Sequence, residues 1–309
     1  MKINPEILQA LEAIPDSEPP PPGDALALRE MFIGIYTGVA QADAPAPHVE
    51  RTEVSAVSAD GTAVPARLYQ HRDSRPGSAI VYLHGGGMMG ASVDLYDSFV
   101  AAYVERTGVP FLSVDYRRTP EAAWSTPMED SWAGLAWLLD HAAELSVDPG
   151  RVAVMGDSAG GTLAAGVAVL ARDRGVDLAR QILVYPMLDD RNTEPDPALA
   201  PTALWTYENN TTAWDALLGD ARGGPEVPAT IAPARLQDAT GLAPAYIEVG
   251  GADILRDESL AYAALLARHD VDVEFHLHPG AVHASDRMAP EADVTRRQFA
   301  DRDRVIGEL

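Results

Sequence analysis

The sequence predicts an α/β fold: a mostly parallel, eight-stranded sheet flanked by helices, with a helical cap. Three observations carry this. From residue 79 onward, short apolar runs alternate with helical patterns, the rhythm of right-handed crossovers between parallel strands. Those runs are apolar throughout, so both faces of the sheet are covered. The chain has 309 residues and is 47% apolar, enough to fill the core of one large domain.

In chain order, residues 5–13 read as a short helix opened by Pro5, whose fixed φ suits a first helical position. Pro19 to Gly23, "PPPPG", is a stiff connector. Asp24 can cap a second amphipathic helix running to about Gly38. The Ala/Pro-rich stretch 41–48 reads as a linker, so residues 1–48 form a separate helical segment laid over a larger domain at 49–309. "TEVSAVS" and "AVPARLYQ" alternate around Asp60-Gly61 and predict an antiparallel hairpin. Six strands follow, at Ala79–Leu83, Pro110–Asp115, Val152–Met155, Gln181–Tyr185, Ala245–Val249 and Val273–Leu277. Helices are expected near 93–106, 128–145, 159–173, 258–269 and 291–308. Residues 187–240, rich in Pro, Asn and Trp, break the rhythm as a long insertion after a strand end, where lids and pockets are built.

Charge narrows the partners. Twenty-three basic residues against 46 acidic ones give −23. Such a surface repels nucleic acid and anionic membranes. With no cysteine, disulfide and thiolate chemistry is absent, and any metal would need His and carboxylates. The start of the chain lacks a basic segment followed by an apolar one, and no run of about 18 apolar residues occurs. A cytoplasmic protein, monomer or homodimer, is the expectation.

"VYLHGGGMMG", Val81 to Gly90, admits two chemistries. Gly85, Gly87 and Gly90 fit a dinucleotide fingerprint, with Asp115 as the downstream acid. The same letters fit a loop whose backbone N–H groups meet a developing oxyanion. The rest of the chain decides. Gly156-Asp157-Ser158-Ala159-Gly160 fits G-x-S-x-G between a strand and a helix of small residues. This is a turn so tight that its flanks must be small; it lifts the Ser hydroxyl above the sheet, with a helix N-terminus behind it. Ser needs a base, and in this architecture the acid and then the His follow it. Asp253 lies just past one late strand; His283 lies in a loop past the next. Asp257 suits a first helical turn instead. His276 and His278 alternate on a strand, His269 closes a helix, and His48, His71 and His141 read as surface or linker residues. His84 is placed to anchor the glycine loop. Gly86, Gly87 and Ala159 then supply oxyanion N–H groups. The dinucleotide reading leaves the serine turn unexplained, and Met88-Met89 sit where its helix would start.

Taken together, His84-Gly85-Gly86-Gly87, "DYRRTPE" (Asp115 to Glu121), Gly156-Asp157-Ser158-Ala159-Gly160-Gly161 and "YPMLDDR" (Tyr185 to Arg191) resemble the hormone-sensitive-lipase-like (family IV) bacterial esterases of the α/β-hydrolase fold, over residues 48–305. The resemblance implies a Ser158–Asp253–His283 triad. It also implies a cap from the N-terminal helices and the insertion, and cleavage of short- to medium-chain carboxylic esters with no cofactor and no metal. Two departures stand out. Asp253-Ile254-Leu255 lacks the family's Pro, and Ala284 follows His283 where the family has Gly. Met88, Met89, Trp205, Tyr207 and Trp214 are the expected substrate contacts. An amidase or peptidase using the same triad, and a non-catalytic small-molecule receptor, remain the alternatives.

Overall fold

The computed structural model describes residues 2–14, 19–40, 45–73 and 77–309; part of the predicted linker, residues 41–44, lies outside them. Two helices come first. α1 (Pro5–Glu12) is capped by Asn4, whose side chain accepts from the Glu6 N–H. α2 (Ala25–Ala40) starts after Asp24, which accepts from the Ala27 N–H at 2.9 Å. β1 (Val49–Val57) and β2 (Ala63–His71) then form the antiparallel hairpin, with Val57 opposite Ala63.

Six strands complete the sheet: β3 (Ala79–Leu83), β4 (Phe111–Val114), β5 (Val152–Asp157), β6 (Arg180–Val184), β7 (Ala245–Gly250) and β8 (Val273–His278). Their order is β1-β2-β4-β3-β5-β6-β7-β8, and every neighbouring pair from β4 to β8 is parallel. The chain steps from β3 outward to β4 and then crosses back to β5. That reversal opens a crevice beyond the carboxyl ends of β3 and β5, the place where open α/β sheets bind ligands.

The crossovers are α3 (Asp97–Thr107), α4 (Thr126–Asp140) and α5 (Ala159–Asp173). α6 (Tyr207–Leu218) lies in the insertion between β6 and β7, N-capped by Thr206. α7 (Arg256–Arg268), the four-residue α8 (Ser285–Met288) and α9 (Asp293–Gly307) follow. Among the described residues no helix is long and apolar enough to cross a membrane.

β3 and β5 are buried at every position, which is why they read as unbroken apolar runs. Successive residues still serve different layers, as period-two geometry requires. Val81 and Leu83 pack with Leu135 and Leu163 of α4 and α5; Ile80 and Tyr82 pack with Tyr103, Val305 and Ile306 of α3 and α9. A third, smaller core joins Ile7 of α1 to Ala252, Ala281 and Val282, which lie in the loops after β7 and β8.

The differences from the sequence reading are local. The helix expected from 93 begins at Asp97, because Ser92 to Tyr96 close a turn with the Tyr96 N–H on the Ser92 carbonyl. The helix expected to 145 ends at Asp140, and the chain turns back through Ser146 at φ 58°.

Candidate active site

β5 runs straight into Ser158, which adopts φ 56° and ψ −121°, and α5 begins at the next residue. A non-glycine residue in such a region costs roughly 1–3 kcal/mol and persists only where its surroundings enforce it. They do so here. A Cβ on Gly156 would lie 2.1 Å from the Gly160 carbonyl oxygen, and one on Gly160 would lie 1.9 Å from that of Leu83. β6 grips the turn from the other side. Ser158 N–H donates to the Val184 carbonyl at 2.9 Å, and the Ser158 carbonyl accepts from Met187 N–H at 3.0 Å.

Three predicted side chains from three separate loops meet here. His283 Nε2 stands 2.9 Å from Ser158 Oγ, and its Nδ1 stands 2.8 Å from Asp253 Oδ2. The second Asp253 oxygen accepts from the Leu255 N–H at 3.0 Å. All three side chains are buried. The loop after β8 brings His283 to this point although Ala284 carries no glycine freedom. Ala284 takes φ 53° and ψ 23°, the left-handed cap of α8.

The rival residues lie elsewhere. Asp257 sits in the first turn of α7 and pairs with Arg256. His276 pairs with Glu274 at 2.7 Å, and His278 Nε2 lies 3.7 Å from Glu248. His269 Nδ1 stands 2.9 Å from the Leu265 carbonyl.

The glycine loop is held from behind. Gly85 N–H donates to Asp157 Oδ1 at 3.1 Å, and Asp157 also accepts from the Tyr82 and Tyr96 hydroxyls at 2.7 and 2.8 Å. Burial pushes the Asp157 carboxyl above its ordinary range, against the pull of the two tyrosine donors. His84 is buried and held down to about 4 by desolvation, so it is neutral at pH 7. Its Nδ1 lies 2.8 Å from the Gly85 carbonyl, and its ring stacks on Tyr116 at 4.3 Å. Gly86, at φ 107°, closes the turn: its carbonyl accepts from Gly90 N–H at 2.8 Å. Ala159 is the first residue of α5, a position whose N–H has no intrahelical acceptor.

Gly86, Gly87, Ser158 and His283 open onto one cavity of about 400 Å³. Its far wall is apolar: Leu11 and Ile14 at the end of α1, Met31, Phe32, Ile35 and Tyr36 of α2, and Trp205 and Met288. Of the expected substrate contacts only Trp205 lines it. Met88 and Met89 are fully buried in the core beneath the glycine loop, and Tyr207 and Trp214 pack inside the core near α6. The α2 wall was missed because a helix read as amphipathic gives no sign of which partner its apolar face meets. The available signal was the breadth of that face, Met31-Phe32 and Ile35-Tyr36, wider than one helix contact needs.

Two groups of three potential metal donors occur among the described residues, His48–His71–Glu105 and Glu274–His276–Asp301. Neither contains a residue of the Ser158 site. In the second, Arg304 already contacts both carboxylates.

Comparison with known proteins matches residues 80–286 to the family described as alpha/beta hydrolase fold. A carboxylesterase of Mycobacterium tuberculosis, NlhH, is 38% identical over 268 residues, covering 83% of each chain. Among solved structures, a bacterial heroin esterase superposes with a TM-score of 0.91 at 33% identity, covering 99% of this chain and 98% of that one. A hyperthermophilic esterase of the archaeon Pyrobaculum calidifontis gives 0.86 at 29% identity, covering 100% and 99%.

Proposed function

The chain belongs to the hormone-sensitive-lipase-like family of the α/β-hydrolase fold and is a serine carboxylesterase, and on that footing we propose that it cleaves short- to medium-chain acyl esters through an acyl-enzyme on Ser158. The observation that carries this reading is the position of His283, within hydrogen-bond reach of Ser158 on one side and Asp253 on the other.

In the proposed cycle His283 Nε2 takes the Ser158 proton as Oγ attacks the ester carbonyl. Asp253 fixes the imidazole tautomer and stabilises the imidazolium. The N–H groups of Gly86, Gly87 and Ala159 bind the oxyanion, and removing one such donor typically costs about 100- to 1,000-fold in kcat. His283 returns the proton to the departing alcohol; water then repeats the sequence on the acyl-enzyme. α1, α2 and the insertion act as the cap. Their apolar wall and the cavity of about 400 Å³ fit an acyl chain of modest length.

The test is an acyl-chain series of chromogenic esters on the native enzyme and on Ser158→Ala. Turnover peaking at short or medium chains and lost in the variant is the expected result. Amides cleaved faster than matched esters would favour the amidase alternative. Tight ligand binding with no turnover, and no labelling by an organophosphonate, would favour a receptor.

A further inference from the structure

Among the described residues that line the cavity, His283 aside, there is one ionisable side chain of marked charge, Glu208, and no Lys or Arg. Glu208 is exposed in the first turn of α6, three residues after Trp205. Phe32 and Trp205 line the same cavity, with ring centroids 5.4 Å apart and planes tilted by 36°. The indole is held in place: its Nε1–H donates to Asn210 Oδ1 at 3.0 Å. Its centroid lies 6.0 Å from the His283 ring, and its edge would lie 3.2 Å from a Cβ on Gly87. The Tyr36 ring is already engaged, with the Arg287 guanidinium 5.3 Å from its centroid. The described lining of the cavity thus offers two aromatic rings, one carboxylate at α6 and no Lys or Arg, the nearby Arg287 lying buried behind Tyr36. The whole chain, at −23, adds a field of the same sign.

We propose that this cavity takes carboxylic esters that carry an ammonium group, with Phe32 and Trp205 packing against the cation and Glu208 as its counter-ion at the rim. Ring faces attract cations through their quadrupole, and a quaternary ammonium loses little hydration on meeting them. An apolar pocket without a counter-ion would reject the same group, since an unpaired charge is costly to desolvate. Glu208 is what makes the difference. The proposal rests on the esterase reading for its chemistry but not for its binding step.

Butyrylcholine and 3,3-dimethylbutyl butyrate differ only in N⁺ against C at one atom. Trimethylammonio-butyrate methyl ester and its carbon isostere place the same difference on the acyl side. Dividing each kcat/KM by the ester's hydroxide-catalysed hydrolysis rate removes intrinsic reactivity. At 0.15 M salt the corrected cation-to-neutral ratio should be roughly 3- to 10-fold on at least one arm. Glu208→Gln and Phe32→Leu should each lower that ratio about threefold or more; a ratio divides out any general effect of the substitution. In 1 M salt, where screening acts over about 3 Å in solvent, part of the preference should persist, because a cation packed against ring faces inside the cavity is shielded from the screening ions. A corrected ratio at or below one on both arms overturns the proposal. So does a ratio unchanged in Glu208→Gln, or one abolished by 1 M salt, which would assign the preference to net charge. If no ester is turned over, the esterase reading fails, and calorimetric titration of the same pairs into Ser158→Ala still decides the binding step. Tighter binding of the cation supports the proposal; equal or weaker binding overturns it.

Discussion

The Gly85 N–H points at the Asp157 carboxylate, 3.1 Å away, and so ties the loop that follows β3 to the residue immediately before Ser158. Ser158 and the glycine loop follow different strands, and this one buried acid is bonded to the loop and adjoins Ser158 in the chain. Tyr82 and Tyr96 are further donors, so all three of these partners give hydrogens and none accepts one.

Asp157→Asn should therefore damage the transition state more than substrate binding. An amide offers one acceptor oxygen in place of two and adds a donor with nowhere to point. We expect kcat to fall about 10- to 100-fold with a much smaller change in KM, a misplaced donor costing less than a deleted one. Steady-state kinetics with a neutral ester, beside circular dichroism for the fold, reads this. An unchanged kcat would show that the loop holds its shape without the acid.

Ala284 offers a gain. A left-handed conformation costs an L-residue roughly 1–2 kcal/mol, partly offset in glycine by its greater unfolded freedom. Ala284→Gly should raise stability by about 0.5 kcal/mol, and Ala284→Val should lower both stability and kcat by displacing His283. Thermal melts with parallel kinetics distinguish the two effects.

Arg29 on α2 reaches across to the glycine loop's flank. Its guanidinium donates to the carbonyls of Met89 and of Thr119, the latter at 2.8 Å, and forks onto Glu121 at 2.6 and 2.7 Å. Because the neighbouring α2 residues form the cavity wall, Arg29→Ala should raise KM about 3- to 10-fold, and Arg29→Lys should recover little of this, lacking the fork. A KM equal to the native value in Arg29→Ala would show that apolar packing alone seats the helix.

Acid stability should follow Glu248. Burial alone would push this carboxyl up, but the fully buried Arg302, with His278, overrides burial and holds it at about 2, against an ordinary 4.5. A depressed carboxylate contributes stability above its unfolded value that is lost as pH falls. The unfolding free energy from denaturant titrations should thus decline between pH 4.5 and 2, by an amount on the order of 3 kcal/mol from this group. Arg302→Met leaves Glu248 and Asp286 facing each other without their cation and should cost about 3–5 kcal/mol at pH 7.

Much of this was legible in the sequence for a physical reason. Strands buried on both sides write themselves as apolar runs, and the turn at Ser158 tolerates only small neighbours, so both leave a mark in the residues themselves. Asp253 and His283 could be placed because chain order and strand ends confine them. The cavity wall could not. Whether Met88 or Met31 faces the substrate depends on how α2 settles over the sheet, and that is decided by contacts such as Arg29 to Thr119 that no local pattern announces. The departure at Ala284 was visible; that the backbone accepts it there without moving His283 was not.

Asn4 donates to the Gly280 carbonyl, and Ile7 is sealed among residues of the loops that bear Asp253 and His283. α1 thus has its docking surface on segments synthesised long after it. Until those segments emerge its greasy side stays bare, and the loops that bear Asp253 and His283 cannot set before α1 has reached them. Substitutions at Ile7 would consequently be felt at the His283 imidazole, most of the sequence away.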